Sequence, residues 1–525
     1  MKLYRKIFAL SGLTLALASC SFADFYSAFS GDGKTPEGDP TIIVPTERGV
    51  NIVKTKYTYK TYIDNYAGNK SVSPSIGESH LLVIPVWFTD SSTYISDAKK
   101  ESVRQDIQTA YFGTSSETGW ESVSSYYKKD SFNKLTISGK VSTWFSCGKA
   151  SSYYRDDDDY ATRTSALVSS AVSWYKVSGQ STSLSEFDAD KDGYLDGVML
   201  IYGAPDYNAA GQSENNLWAY CYWTQTNKGS AANPNANAFF WASYDFMYSK
   251  TNALSRTGKS TYGSGITSNG SVIDAHTYIH EMGHVFGLDD YYDYTYQYSP
   301  AAGFSMQDNN VGGHDPFSRL ALGWVEPFVP DKTCTFQVNT MESSGELVVL
   351  SPNYTGSPFD EYIILELYSP QGLNQKDTLY KYGGYARGVD DVGVRVWHVD
   401  ARLYKITGYI GNKPIGEVTN VIEQGSFYIN ATNNTSSGVR AINYAGNEAY
   451  NINHLIRNNK KNPYNDATTL NVSMLFKTGS SFSISDYSSQ FTNGSKLNNK
   501  QSLGWTVNFD KVTTGSMTIT CTKTA

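Results

Sequence analysis

Cysteine is scarce in this chain, with five residues in 525, and the four after Cys20 stand far apart, at Cys147, Cys221, Cys334 and Cys521. Such spacing excludes a Cys-x-x-Cys zinc or redox motif. Charge is also thin, at 18% of residues, and 43 basic against 50 acidic side chains leave a net charge of -7 with no basic stripe. A nucleic-acid-binding role is therefore excluded. Internal repeats are absent. What the chain does have is aromatic weight: 14% aromatic residues, 41 of them tyrosines, the composition of a globular and not a disordered protein. Its length allows two or three domains and ample core.

The N-terminus carries Lys2, Arg5 and Lys6 ahead of an apolar run from Ile7 to Ala18, too short to be a permanent membrane span. The run ends in "LASC", and this pattern resembles a bacterial lipoprotein signal. Residues 1–20 then read as the signal peptide, with Cys20 lipidated and becoming the new N-terminus. The implied location is the outside of a bacterial membrane, held there by several acyl chains. Export also suits the four remaining cysteines, which form up to two disulfides in three possible pairings or remain buried thiols. Residues 21–77 are rich in turn formers, as in "SGDGKTPEGDP", and read as a tether or short pro-segment. No cysteine lies between 21 and 146, so a cysteine-switch inhibitor of a metal site has no source.

The densest chemistry is "HTYIHEMGHVFGLDDYYD", 276–293. His276, His280 and His284 recur every four residues and share one face of a helix. His280-Glu281-Met282-Gly283-His284 is an H-E-x-x-H sequence, in which two imidazoles one turn apart bind zinc and the glutamate takes a proton from metal-bound water. Gly287 lets the chain leave the helix through a left-handed conformation. Asp290 then returns as third ligand, with Asp289 the competitor, and the fourth position stays open for water. His276 is expected to pack or hydrogen-bond near the helix start.

"HEMGHVFGLDDYYD" resembles the zinc motif of the immune inhibitor A family of secreted bacterial metallopeptidases, which belongs among the metzincins. The resemblance implies zinc on His280, His284 and Asp290, with Glu281 as general base. It also implies a methionine-containing turn beneath the metal, for which "GFSMQDNNVGGHDPFSRLALGWVEP" offers Met306. Position 308 is Asp where astacin-like enzymes have tyrosine, so the oxyanion stabiliser is unassigned. The likeness runs over roughly residues 78–520, strongest at 185–202 and 276–327 and loose elsewhere.

A second acidic pattern, "EFDADKDGYLDGVMLIYG", places Asp188, Asp190, Asp192 and Asp196 at positions 1, 3, 5 and 9 of a calcium loop. The Tyr194 carbonyl stands at position 7, and Gly193 allows the sharp turn. The twelfth position is Met199, inside an apolar run that reads as a buried strand, so the loop is not an EF-hand. Four carboxylates within nine residues repel without a cation, and the related peptidases carry a similar loop before a strand. A structural calcium ion is expected.

"HLLVIPVWFTD" reads as a central strand. The following helix has Val103, Ile107 and Ala110 on one face, Ser96 as cap and Gly113 as stop. "LTISGKVSTWF" alternates as a half-buried strand. After Pro327 short runs such as "GELVVLSP", "EYIILELYSP", "VGVRVWHVD" and "GSMTITCTKTA" read as antiparallel β-structure, with His398 as a strand residue. The expected fold is an α+β, metzincin-like zinc peptidase domain over 78–328, a mixed sheet with an active-site helix, followed by a β-sandwich over 329–525. The expected activity is hydrolysis of extracellular proteins or peptides by a monomeric, lipid-anchored zinc endopeptidase. The alternative is an inactive surface binding protein that retains a structural metal site.

Overall fold

The computed structural model describes residues 41–524, apart from 67, 156–158, 181–182, 206–216, 249–272, 380–385, 412, 426, 430 and 435–449. The leader and Cys20 thus lie outside the described residues. The architecture is mixed α+β with several sheets and no barrel. Among the described residues, no helix is long and apolar enough to cross a membrane.

The first sheet is built on "HLLVIPVW", which forms the central strand β3 (Gly77–Trp87). It pairs in parallel with β4 (Leu135–Val141), β5 (Phe145–Ser146) and β6 (Gly197–Tyr202). Beyond β6 lie parallel β8 (Ala238–Ser243) and, at the edge, antiparallel β7 (Tyr220–Trp223). Strands β6 and β8 are buried at every residue, which is why their sequences are continuous apolar runs: helices cover both faces of a parallel sheet. Leu82, Ile84, Val198, Leu200 and Trp241 face α4 (Tyr160–Val177), whose Leu167, Val168 and Ala171 complete that core. The opposite residues, Leu81, Val83, Met199 and Phe240, face a larger core that contains the histidine-bearing helix. The helix after β3 forms as expected: α2 (Lys100–Phe112) buries Val103, Ile107 and Ala110 and stops at Gly113. Ser96 precedes it by a turn of 3-10 helix and makes no side-chain cap.

The second sheet has seven strands in the order β1-β2-β9-β11-β12-β13-β17. Its ranges are β1 (Ile43–Pro45), β2 (Asn51–Val53), β9 (Phe328–Val329), β11 (Val348–Leu350), β12 (Glu361–Tyr368), β13 (Gly393–Asp400) and β17 (Asn453–Ile456). One face, through Ile363, Leu365, Val394 and Val396, packs on a four-stranded sheet. That sheet runs β10 (Cys334–Asn339), β20 (Ser516–Lys523), β19 (Trp505–Val512) and β18 (Ser481–Phe482). Here is a sandwich, antiparallel apart from the β9–β11 pair. The other face, through Tyr362, Ile364, Trp397 and Val399, belongs to the same core as the histidine helix. Strands β12 and β13 are consequently buried at all positions. A third sheet joins β14 (Leu403–Ile410), β15 (Lys413–Thr419) and β16 (Phe427–Ile429).

Two expected boundaries need correction. The stretch read as a tether or short pro-segment is built into the fold from residue 41 onward, so it is not a free tether there: β2 pairs with β9 at Asn51↔Val329 and Ile52↔Phe328. Helix α1 (Tyr59–Asp64) buries Tyr59, Tyr62 and Ile63 behind a Thr58–Thr61 capping box. The division at 328 falls inside β9, and the shared core crosses it. These strands are only three and two residues long and gain partners only from distant parts of the chain, so nothing local in the sequence marks them. The four cysteines after Cys20 are free thiols, and Cys334 lies directly opposite Cys521 across β10 and β20.

Candidate metal centre

The expected helix is α5 (His276–Val285). Asp274 starts it, its Oδ1 accepting from the His276 N–H at 3.0 Å. Gly287 ends it at φ +102°, and the Leu288 N–H returns to the Gly283 carbonyl at 3.0 Å. A Cβ on Gly287 would stand 3.1 Å from the Tyr59 ring, so both backbone and space require glycine there. The helix is buried on nearly all sides. Its position is held by the Tyr127 hydroxyl, which donates to the Ile279 carbonyl, and by the Tyr278 hydroxyl, which donates to the Ser243 carbonyl.

His280, His284 and Asp290 converge, each offering one ligand atom within 4.8 Å of the others. His280 Nε2 lies 3.0 Å and His284 Nε2 3.2 Å from the same Asp290 Oδ1. The far ring nitrogens are spoken for: His280 Nδ1 faces the Met306 carbonyl at 2.8 Å and His284 Nδ1 the Leu288 carbonyl at 2.7 Å. A carbonyl only accepts, so each Nδ1 carries hydrogen and, in the neutral ring, each Nε2 presents a lone pair. Two lone pairs and a carboxylate oxygen turned on one point suit a divalent cation, and two imidazoles with one carboxylate are a catalytic zinc donor set. The Asp290 second oxygen accepts from the Tyr294 hydroxyl at 2.5 Å. Burial alone would raise the Asp290 pKa, but His284 and His280 hold it far below the ordinary carboxylate range. Burial likewise opposes charge on His284, and the Asp290 carboxylate overrides it, raising that pKa to about 10.

Glu281 follows His280 on the same helix. Burial pushes its pKa up, partly offset by the two imidazoles, and its buried Oε2 has no hydrogen-bond partner. An unsatisfied buried carboxylate oxygen costs about 1–3 kcal/mol, and its persistence beside a reactive site is a functional signal. Asp289, the competing ligand, is exposed and stays outside the converging set. His276 also stays outside: it stacks on Trp120 with ring centroids 4.1 Å apart and contacts Asp274 and Asp377. Burial works against its charge, but Asp274 and Asp377 raise its pKa to about 9.

Met306 opens the short α6 (Met306–Asn309) and is fully buried in the core beneath α5. Asp308, at the position tyrosine would have filled, accepts from the Gly303 N–H at 2.6 Å, and burial raises its pKa to about 7. Two residues were missed by sequence reasoning. Gln307 lies between His284 Nδ1 at 3.4 Å and His314 Nε2 at 3.2 Å, filling the space above Gly283, where a Cβ would come within 2.2 Å of it. Tyr294 is the other. The only local signal was the tyrosine density after Asp290.

The acidic loop is assembled differently. Asp188, Asp190 and Asp196 bring carboxylate oxygens within 4.8 Å of one another, with Gly193 at φ +90° in the turn. Asp192 turns away from that set: it takes Lys60 Nζ at 2.8 Å and the Tyr194 N–H at 2.8 Å. Lys60, from α1, also reaches Asp190 and Asp64, each at 3.0 Å. Asp196 accepts from the His80 N–H at 2.6 Å, and burial raises its pKa to about 8. The loop leads into the buried strand β6 as expected.

No protein-family model matches the chain, and a search of curated proteins returns no relative.

Proposed function

We propose that this chain is a zinc-dependent endopeptidase of metzincin type, related to the immune inhibitor A family, exported and lipid-anchored through Cys20. The observation that carries the reading is the convergence of His280, His284 and Asp290 beside Glu281, whose buried Oε2 has no hydrogen-bond partner. Zinc, when bound by these three side chains, supplies a water of lowered pKa and polarises the scissile carbonyl. With zinc held there, Glu281 would serve as general base, taking up a proton at its carboxylate and returning it to the leaving amine. The raised Glu281 pKa suits both halves of the exchange, since a carboxylate that returns its proton must hold it first. Met306 contributes its carbonyl, which orients His280, and an apolar side chain beneath the ligands. Tyr294 and Leu288 hold Asp290 and His284 in the converging geometry; such supporting bonds are worth about 10- to 100-fold in metal affinity or activity. A calcium ion at Asp188, Asp190 and Asp196 would brace the entry to β6. Substrates in this reading are extracellular proteins and peptides.

The test is the soluble chain from residue 24, wild type beside Glu281→Ala, assayed on unfolded casein with bound zinc measured. The variant is expected to keep zinc and lose about 100- to 10,000-fold in rate. An equally active variant overturns the assignment of Glu281, and a wild type that binds zinc without cleaving favours a binding protein.

A further inference from the structure

Edge strand β7 alternates along its length. Tyr220 and Tyr222 pack on the α4 side of the sheet, while Cys221 and Trp223 face the side that carries α5. Over the Trp223 ring stands Lys70, its Nζ 4.4 Å from the ring centroid and 5.5 Å from that of Tyr66. The backbone around Lys70 is pinned from two directions. Trp223 Nε1 donates to the Ser71 carbonyl at 2.7 Å, Asn237 Nδ2 to the Asn69 carbonyl at 3.1 Å, and the Ala238 N–H to Ser71 Oγ at 3.3 Å. The Ser73 N–H donates to the Val285 carbonyl at the end of α5, at 3.0 Å. One short segment therefore ties the edge strand to the helix of His280 and Glu281, and it carries a single ammonium group, that of Lys70, over the Trp223 ring.

That ammonium is half-buried, and among the described residues no carboxylate comes within ion-pair distance of it. Asp289 faces it from farther off, with the Cys221 thiol as its other titratable neighbour, and burial lowers its pKa. The same thiol lies within electrostatic reach of the Glu281 carboxylate. A partly desolvated cation with no carboxylate at ion-pair distance is poised to gain from an arriving anion, because removal from water weakens its hydration while strengthening any pairing. Trp223 beneath it offers an apolar floor for the methylenes of an acidic side chain.

We propose that Lys70, with Trp223 and Cys221, forms a substrate subsite beside the metal centre that takes an aspartate or glutamate side chain of the peptide. This rests on the endopeptidase reading, and the two are separable by experiment. Matched fluorogenic peptides carrying Glu, Gln or Lys at each position flanking the scissile bond are assayed with the soluble chain as wild type, Lys70→Met, Lys70→Glu and Lys70→Arg. At one position the wild type prefers Glu by about tenfold in kcat/KM. Lys70→Met abolishes that preference, Lys70→Glu turns it toward Lys, and Lys70→Arg keeps it, all with unchanged bound zinc. The same peptides are titrated against Glu281→Ala in the Lys70 and Lys70→Met backgrounds. If nothing is cleaved yet acidic peptides bind through Lys70, the peptidase reading falls and the subsite stands. If cleavage or binding ranks the peptides alike in all Lys70 variants, the subsite is overturned.

Discussion

Among the described residues two clusters of ligand-type side chains occur, and they differ in how their charge is settled. At the histidine site three donors turn on one point, and each remaining donor or acceptor of the histidines and of Asp290 is engaged by backbone or tyrosine. At the acidic loop only three of the four aspartates converge, and Lys60 already neutralises part of the charge. Ligands one helical turn apart are positioned by the helix itself. Ligands in a loop are positioned by whatever else reaches the loop, and a lysine 130 or so residues away in the sequence does so here.

The comparison breaks most sharply at Asp290. Asp290→Asn is expected to abolish zinc retention and proteolysis together, measured by metal analysis and casein turnover, whereas Asp192→Asn should leave both intact. Equal loss in the two variants would show that the loop and the metal centre act as one unit. Next in size, Tyr294→Phe should weaken zinc by about 10- to 100-fold in competition with a chelator; unchanged affinity would reduce that hydroxyl to packing. Gly287→Ala places a Cβ at φ +102° against Tyr59 and should cost about 1–3 kcal/mol by denaturant unfolding. A smaller effect is expected at Lys60. Lys60→Met should move the calcium midpoint for thermal protection several-fold lower, since about 1 kcal/mol of competing ion pairing is removed; a midpoint moved upward would make Lys60 a partner of the ion instead of its rival.

The last expectation concerns pH. The folded-state pKa of His276 is raised to about 9, above the ordinary 6.5, so its ion pairs contribute fully below about 6.5 and are lost as pH rises through about 9. Thermal stability should therefore decline between pH 7 and 10, and that decline should flatten in His276→Gln. A decline of equal size in the variant would locate the titration elsewhere.

The helix of His280, Glu281 and His284, the glycine turn after it and the strands β3, β6, β12 and β13 were legible in the sequence because each is specified locally. Spacing of four places side chains on one helix face, glycine permits one backbone conformation, and continuous apolar runs mark strands covered on both faces. The competition between Asp289 and Asp290 was narrowed by local geometry, but only the folded turn separates them. What tertiary structure alone decided was long-range pairing. The short strands β1 and β2 join a sheet made mostly of residues beyond 327. Asp377 contacts His276 and accepts from the Gly312 N–H, linking the C-terminal half to the metal centre. Lys60 reaches the acidic loop, and Lys70 reaches the edge-strand Trp223, from a stretch that reads as linker or pro-segment. Such contacts leave no periodicity in a sequence, because their partners are brought together by the burial of a shared core and not by neighbouring backbone.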